Sequence, residues 1–529
     1  MAEATPASSP GNTPSSAGSS DARGANAESA ARSHNSADGG ESHGYPAIES
    51  SLEAPKPFET LIPPRLDRVP WCGFHWLIVI ALGVTWTLDG LEVTLNGAVS
   101  GVLQEPQVTN FSAQQIGSIA SMYLIGAVLG ALCFGYLTDK WGRKKLFFIT
   151  LAVYLGGTLL TAFSWDVWSF ALFRFLTGSG IGGEYAAIGS AIDELIPADF
   201  RGRVNLIING SYWLGAAVGS AATLILLDPR FLAPKVGWRF GFGIGALLGL
   251  LILFTRRHVP ESPRWLMTHG GEHEAEDTMR EIESRAERSL GRRLDDPHGR
   301  PLTIHPRKSF GFVLVAKRMF EQYLGRSFLS LALITSQAFL YNAVFFTYAL
   351  ILTHFYNVPG GRTGIYLLPF AVGNFLGPLL LGRFFDTIGR RQMIAATYAI
   401  AAALLTLTGW LFARGELSAT TQTLAWTVIF FFASAAASSG YLTVSEIFPL
   451  EIRALAIAFF YSLGTAVGGV AAPWLFGRLI GSGSAERVFY GYLIAAVLMF
   501  GAAVVEMVWG VKAERKGLES ISNPLSADA

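Results

Sequence analysis

The sequence predicts an all-α membrane protein of twelve transmembrane helices arranged as two six-helix repeats. Of its 529 residues, 51% are hydrophobic and 15% are charged, whereas soluble domains average about 25% charged residues. Apolar runs of about 20 residues, the length that crosses about 30 Å of hydrocarbon, recur from residue 71 onward. Motifs from the first half of the chain also return in the second half at constant spacings, which indicates a duplicated bundle.

The first 65 residues are mainly Ser, Ala, Gly, Asn and Pro, with almost no large apolar side chains. Such a segment buries too little surface to offset the entropy lost on ordering. We therefore expect residues 1–65 to form a disordered cytoplasmic tail. A secretory signal would need an apolar core near the start, and this segment has none.

The apolar runs are divided six and six by one long polar connection. We expect an N-terminal bundle over residues 71–257, a cytoplasmic connection over 258–322, a C-terminal bundle over 323–512 and a cytoplasmic tail over 513–529. Within the connection, EHEAEDTMREIESRAERSL is typical of an amphipathic surface helix. The predicted spans are 74–102, 114–137, 146–164, 168–195, 203–227, 238–256, 325–353, 363–385, 392–413, 421–447, 454–480 and 487–511.

Lys and Arg cluster in alternate connections, including DKWGRKK (139–145), TRRH (255–258) and GRRQ (389–392). The connection QEPQVTNFSAQQ (104–115) has no positive charge. Because cytoplasmic loops carry the excess of Lys and Arg, both termini are expected on the cytoplasmic side of the cytoplasmic membrane.

Composition also excludes several function classes. A net charge of +1 offers no basic stripe for nucleic acid, and Cys72 and Cys133 are too few for a disulfide framework or a metal cluster. The sequence has no ATP-binding GxxxxGK[ST] loop, which disfavours an ATP-driven pump. It also has no nucleophile–base set, which disfavours an enzyme. We expect no cofactor and no metal. The expected partners are a small-molecule substrate, protons and the lipid bilayer, with the chain acting as a monomer.

Two charged motifs recur between the halves. GYLTDKWGRKK (135–145) returns as GRFFDTIGRRQ (382–392), and DELIPADFRGR (193–203) returns as SEIFPLEIRAL (445–455). These charges lie at cytoplasmic helix ends, where ion pairs could hold the halves together in one state; solvated helix-end charges are the alternative. The candidate gating residues are Asp139, Arg143, Glu194, Arg201, Asp386, Arg390, Glu446 and Arg453.

Span one carries two acids in an apolar run, Asp89 and Glu92 in WTLDGLEVTLNG. Their i, i+3 spacing puts them on one helix face, and ionisable groups inside a bilayer usually mark ion pathways. Counting about 1.5 Å per residue places Asp89 level with Arg174 of span four, and Glu92 higher. We therefore predict an Asp89–Arg174 pair within a proton-coupling set of Asp89, Glu92 and Arg174. A permanent ion pair, as in a uniporter, is the alternative.

Several of these motifs resemble known signatures. GYLTDKWGRKK is similar to the loop 2–3 signature of the major facilitator superfamily, and HVPESPRWL (258–266) resembles the PESPRWL signature of its sugar-porter family. The span-seven stretch SQAFLYNAVFFTYA (336–349) and the tail AERKGLES (513–520) are similar to two further sugar-porter motifs. The resemblance covers about residues 71–520. It implies transport by alternating access, with the substrate near the midplane between the halves.

The same resemblance implies that Gln337 and Asn342 contact the substrate, and that an Asp in span one carries the proton beside Arg174. Departures put sugar in doubt: Trp213 replaces a sugar-contacting glutamine, and Glu184 lies in GGEY, which resembles metabolite and phosphate symporters. Helix packing is the alternative for Glu184 and for the aromatic residues. The candidate substrate-binding residues are Glu184, Trp213, Gln337, Asn342 and Tyr441.

These observations favour a secondary active transporter that performs proton-coupled symport of a small polar metabolite, with an organic acid ahead of a sugar. An uncoupled facilitator or an exporter of the same fold is the first alternative. A nutrient sensor that binds without transporting is a more distant one, because sensors need a signalling extension and the cytoplasmic segments contain no recognisable one.

Overall fold

The structure is a computed structural model and forms a bundle of twelve spans. It describes residues 58–256, 259–268, 271–297, 301–304, 317, 319–448, 453–512 and 521. We number the spans 1 to 12 in chain order. Spans 1 to 6 are Gly73–Leu103, Ala113–Trp141, Arg143–Thr161, Val167–Leu195, Ala198–Leu226 and Pro234–Arg256. Spans 7 to 12 are Leu324–Phe345 with Tyr348–Tyr356, Thr363–Thr387, Arg390–Ala413, Ala419–Ile447, Arg453–Gly464 with Ala471–Gly481, and Ala485–Trp509.

Nine helical stretches among the described residues are long and apolar enough to cross a membrane. The other three predicted spans, numbers 4, 5 and 6, each include residues whose side chains lie outside the described part. We call the end of the bundle that carries the central connection the loop end, and the opposite end the far end.

Polar capping residues start several spans at the far end. Ser112 Oγ accepts from the backbone N–H of Gln115 at 3.2 Å, and Gln115 Oε1 accepts from the N–H of Ser112 at 2.8 Å. Asp166 and Ser418 begin spans 4 and 10 with the same reciprocal arrangement. These bonds satisfy backbone donors that the first helical turn leaves without a partner.

The sequence repeat corresponds to a repeat of helix contacts. Span 2 packs on span 4 through Gly126 and Gly130, where an added Cβ would collide with backbone carbonyl oxygens of span 4. Span 8 packs on span 10 in the same way through Gly373 and Gly377. Because the four glycines keep one spacing between the halves, each half contains the same close helix pair.

Glycine also explains one position of the recurring loop motif. Gly142 and Gly389 precede spans 3 and 9 with φ values of +89° and +118°. A residue with a side chain is strained at positive φ. The chain therefore reverses direction at the same motif position in both halves.

Two predicted spans are interrupted in the structure. Span 7 breaks at Phe346 and Thr347, and span 11 contains a π-helical turn, Thr465–Gly469, between its two α-helical parts. The predicted spans 325–353 and 454–480 cover both interrupted helices, but hydropathy reports length and burial and carries no information about local changes in the backbone hydrogen-bond pattern.

The disordered N-terminal tail predicted over residues 1–65 extends too far along the chain. Residues 1–57 lie outside the described residues, but Phe58–Thr60 is a strand and Ile62–Asp67 is a helix. The strand pairs antiparallel with Leu302–Ile304 of the central connection. Segment 58–65 is ordered because Ile62 is buried and Arg65 forms ion pairs with the connection.

The central connection contains a short helix, Pro263–Thr268, and the predicted amphipathic helix, which is present as Glu272–Leu290. The apolar face of the longer helix buries four side chains, and the helix ends at Gly291 with φ +66°. The buried face is Ala275, Met279, Ile282 and Ala286, which join one core with Ile62, Leu66 and span 1.

The two halves are in backbone contact at the far end. An added Cβ on Gly117 of span 2 would lie 2.5 Å from the carbonyl oxygen of Pro473 in span 11. Thr353 Oγ1 of span 7 donates to Oε1 of Gln104, the residue that follows span 1, at 3.2 Å. The far end is therefore closed across the seam between the halves.

Candidate functional site

Span 1 brings its two acids into the interior of the N-terminal half. Asp89 is 0% exposed and Glu92 is 1% exposed. Gly90, between them, lies so close to the carbonyl of Tyr212 that an added side chain would collide with it. This close approach holds span 5 against the acidic turn of span 1.

Arg174 of span 4 forms an ion pair with Glu92, in which Arg174 Nη1 donates to Glu92 Oε1. The guanidinium carbon of Arg174 lies 4.8 Å from the ring centre of Tyr123 and 5.3 Å from that of Phe242. These contacts add cation–π attraction to the ion pair. Arg174 Nε and Nη2 and Glu92 Oε2 are buried without a hydrogen-bond partner among the described residues.

The predicted Asp89–Arg174 pair is therefore wrong by one helical turn, since the ion pair of Arg174 among the described residues is with Glu92. Span 1 has 31 residues, or about 46 Å at about 1.5 Å per residue, and exceeds the hydrocarbon thickness. Because the depth of each acid was counted from the first residue of span 1, both acids were placed about one turn too far from the loop end.

An aromatic cluster spans the seam beside these acids. From the N-terminal half, the ring of Trp213 lies 5.0 Å from Tyr212. It also lies 5.9 Å from Tyr341 and 5.4 Å from Phe345 of the C-terminal half. Aromatic pairs at these separations attract each other, so the cluster joins the two halves near the middle of the spans.

Polar side chains of span 7 border this cluster. Gln337 Nε2 donates to Tyr441 Oη at 2.9 Å, and Tyr341 Oη donates to Asn374 Oδ1 at 2.7 Å. Asn342 Nδ2 donates to the carbonyl of Ala338 on its own helix at 2.7 Å. The structure thus brings Trp213, Gln337 and Tyr441 to one region of the seam, with Asn342 on the adjoining turn.

Glu184 is fully buried in span 4. Its neighbour Tyr185 stacks on Trp86 with ring centres 4.5 Å apart, and lies 5.1 Å from Tyr461 of span 11. A second aromatic contact therefore crosses the seam, nearer the loop end.

Among the predicted gating residues, Arg390 and Glu446 form an ion pair. Both residues belong to the C-terminal half, so this pair joins spans 9 and 10 and does not itself bridge the halves. Arg390 was among the candidate partners of Glu446, but the expectation that this pair holds the halves together is wrong, because the two motif positions meet inside one repeat. The side chains of Asp139, Arg143, Glu194, Arg201, Asp386 and Arg453 lie outside the described part.

Sequence reasoning missed several side chains at the seam. Phe345 follows Tyr341 by four residues and so shares its helix face, which could have revealed it. Tyr461 lies in an aromatic run, FFYSLG, with no distinguishing signal. Glu506 of span 12 was also missed, although a single acid in the apolar run VVEMVW signals it; neither carboxylate oxygen has a hydrogen-bond partner among the described residues.

Residues 76–520 match the family model described as "Sugar (and other) transporter". The chain belongs to this family of the major facilitator superfamily. The transporter is 25% identical to the niacin transporter NiaP of Acinetobacter baylyi over 461 residues, which cover 86% of this chain and 98% of the relative. It is 30% identical to the 4-hydroxybenzoate transporter PcaK of the same organism over 233 residues, or 43% of this chain and 47% of that one.

Solved structures give the same fold. The proton:xylose symporter XylE bound to 6-bromo-6-deoxy-D-glucose superposes on the transporter with a TM-score of 0.67 at 19% identity, covering 85% of this chain and 98% of XylE. A partially occluded, inward-open form of XylE from E. coli gives a TM-score of 0.64 at 19% identity, with coverage of 82% and 98%. The fold of this integral membrane transporter is therefore that of the superfamily.

Proposed function

We propose that this transporter is a proton-coupled symporter of a small organic acid that carries a flat ring. The observation that carries the proposal is the joint position of the Glu92–Arg174 pair, Asp89 and the seam aromatic cluster around Trp213. Transport would proceed by alternating access across the cytoplasmic membrane, with the loop end and both termini cytoplasmic.

The charged groups support proton coupling. Glu92 is engaged in the ion pair with Arg174, so we assign the transported proton to Asp89, one turn away on the same face. Ionisable groups at such depth are costly and are retained in transporters where they carry ions. Protonation of Asp89 would remove one negative charge from a buried region that otherwise holds two acids and one arginine.

The aromatic cluster supports a ring-bearing substrate. Trp213, Tyr341 and Phe345 offer ring faces from both halves, and Gln337 with Tyr441 offers an amide and a hydroxyl for polar substituents. Niacin and 4-hydroxybenzoate, the compounds in the names of two relatives, are both carboxylic acids on one aromatic ring. Arg174, with two donor atoms that lack partners among the described residues, is a candidate to attract a carboxylate.

Uptake by proteoliposomes tests the proton assignment. Asp89→Asn should abolish accumulation against a gradient while leaving counterflow exchange, because exchange needs alternation of the halves and no net proton movement. Asp277→Asn, at a position with 78% of its side chain exposed, is the matched control. Proton-driven accumulation at the wild-type level by Asp89→Asn would remove Asp89 from the mechanism.

Thermal unfolding tests the substrate class. A ligand at 100 times its Kd adds about 2.7 kcal/mol to the apparent stability of the state that binds it. We expect niacin or 4-hydroxybenzoate to raise the melting temperature, and Trp213→Ala to remove the increase. A shift with xylose and none with either aromatic acid would contradict the proposed substrate.

A further inference from the structure

Span 11 contains a π-helical turn, Thr465–Gly469, whose closing bond runs from the N–H of Val470 to the carbonyl of Thr465 at 2.8 Å. Its sequence explains the turn. Pro473 lacks an N–H and its ring would clash with the carbonyl four residues earlier, at Gly469, in a continuous α-helix. The wider turn relieves this clash, and the α-helix restarts at Ala471, with Pro473 in its first turn.

On one side, the π turn touches the candidate substrate site. An added Cβ on Gly468 would collide with the carbonyl of Thr335 in span 7. An added Cβ on Gly469 would lie 3.0 Å from Cγ2 of Thr465 within the turn and 3.1 Å from Nδ2 of Asn342, which already donates to Ala338. The amide of Asn342 is therefore confined between its own helix and the π turn.

On the other side, the π turn meets the N-terminal half. Ser121 Oγ of span 2 donates to the carbonyl of Val470 at 2.8 Å, and Ser121 is 6% exposed. This hydrogen bond crosses the seam one residue after the turn ends. One short segment of span 11 therefore contacts both a candidate substrate residue and the opposite half.

We propose that the π turn of span 11 couples the position of the Asn342 amide to closure of the seam, through Gly469 on one side and the Val470–Ser121 hydrogen bond on the other. The inference rests on the proposed function only where it takes Asn342 as a substrate-binding residue. Redirecting the amide from Ala338 to a substrate presses Nδ2 toward Gly469. The π turn then shifts its carbonyl groups, and the bond to Ser121 changes with them.

The coupling can be measured without any substrate. A negative result for the coupling can therefore be distinguished from a failure of the proposed function. The substitution Val102→Cys, at a position 1% exposed at the far end of span 1, supplies a reporter of seam opening. The exposed Cys133 is replaced by Ser, and the same protein without the reporter corrects for Cys72, which is buried. The rate of maleimide labelling at the reporter thiol is then compared among variants of Ser121, Gly469 and Asn342.

Ser121→Ala should increase the labelling rate roughly two- to tenfold, the loss expected for one hydrogen bond, and Ser121→Thr should restore it. Gly469→Ala should also change the rate, since its Cβ displaces the Asn342 amide. Asn342→Ala, which vacates that space, should suppress the effect of Gly469→Ala, and the effects of Gly469→Ala and Ser121→Ala should be non-additive. Gly501→Ala, at a glycine with nothing within 4 Å of an added Cβ, is the control and should change nothing.

Additive effects of Gly469→Ala and Ser121→Ala would overturn the proposal, because uncoupled sites add in free energy. An unchanged rate in Ser121→Ala would also overturn it. A second arm uses niacin and 4-hydroxybenzoate at saturation: each compound that binds should change the wild-type labelling rate and leave that of Gly469→Ala unchanged. If neither compound binds, the proposed substrate fails while the substrate-free cycle still decides the coupling.

Discussion

Glu92 and Arg174 form an ion pair with 1% and 0% of their side chains exposed. Removing water from two charges costs several kcal/mol for each ion, so such a pair adds little net stability. Losing one partner is costly, because the remaining charge stays buried. The pair is consequently better suited to fix the position of Arg174 in the interior than to stabilise the bundle.

At this scale we predict that Glu92→Gln destabilises the transporter by about 3–5 kcal/mol, the cost of leaving a buried charge without its partner. Glu92→Leu combined with Arg174→Met should recover most of that loss, because no charge is then buried. Melting temperatures of the purified protein measure both, with Glu486→Gln near the start of span 12 as an exposed control. A Glu92→Gln variant as stable as wild type would mean that water or another group already neutralises Arg174.

Sequence patterns predicted which residues form the interior charged set better than they predicted the contacts among those residues. Isolated acids and an arginine in apolar runs predicted Asp89, Glu92 and Arg174 as an interior charged set, because ionisable groups are costly in a bilayer and persist mainly where they serve transport. Which acid pairs with Arg174 depends on where span 1 enters the membrane, and hydropathy leaves that uncertain by about one turn. Phe345 and Tyr461 were missed because aromatic residues are common in spans whether they line a seam or face lipid.

At the scale of elements, segment 58–69 acts as a strap that fastens the central connection to the N-terminal half. Arg65 donates to Glu276 at 2.7 Å and to Glu283 at 2.6 Å, and Arg68 donates to Glu283 at 2.5 Å. Asp67 accepts from Arg264 at 3.1 Å. These charge-assisted bonds surround a small apolar contact and hold the strap against helix Glu272–Leu290.

Burial acts to raise the pKa of the Glu283 carboxyl, but hydrogen bonds from Arg65 and Arg68 outweigh it and hold this pKa below its ordinary value of 4.5. A group whose pKa is lowered by folding stabilises the folded form above its unfolded pKa, and this stabilisation is lost as the pH falls through the folded value. The strap should therefore be intact at neutral pH and loosen as the pH falls below about 4.5.

We predict that Arg65→Ala increases hydrogen exchange of the backbone amides in 58–67 by about tenfold or more at pH 7, since bonds to charged groups contribute about 1.5–3 kcal/mol. The loss of protection on lowering the pH, measured relative to the intrinsic exchange rate at each pH, should also be smaller in this variant. Mass spectrometry of exchanged peptides measures both. Arg280→Ala, whose side chain is 69% exposed and pairs with the same Glu276, is the control, and equal exchange in the two variants would contradict the assignment of a strap.

The strap also shows what the sequence could not predict about the elements. The amphipathic helix follows from its periodicity, because its four buried residues recur at i, i+4, i+7 and i+11 along Glu272–Leu290. The strand Phe58–Thr60 is three residues long and its partner, Leu302–Ile304, lies far away in the sequence. Local composition therefore favoured a tail, whereas the strand pairing, the burial of Ile62 and the ion pairs of Arg65 are all long-range contacts that order it.

At the scale of the whole molecule, the two halves meet at the far end through glycines that allow backbone contact. Gly117 lies against Pro473 and Gly477 of span 11, and Gly364 lies against Ser220 and Thr223 of span 5. Side chains at these positions would separate the halves. The closed far end is thus specified by the absence of side chains, which a hydropathy pattern does not reveal.

We predict that Gly117→Ala shifts the transporter toward a far-end-open state, because its Cβ would lie 2.5 Å from the carbonyl oxygen of Pro473. In the Val102→Cys reporter background described above, the variant should label faster than the protein with Gly117. Gly156→Ala, at a glycine with open space around it, is the control. A labelling rate equal to that of the control would mean that the contact does not govern opening.

Pairing of the strand Phe58–Thr60 with Leu302–Ile304 also imposes an order in time during biosynthesis. A ribosome that adds about 5–20 residues per second needs roughly 10–50 s to proceed from the first strand to the second. During that interval all six spans of the first half are synthesised, but the partner of the strand that precedes them has not yet been synthesised. The half that emerges first is therefore completed by residues translated after its own last span.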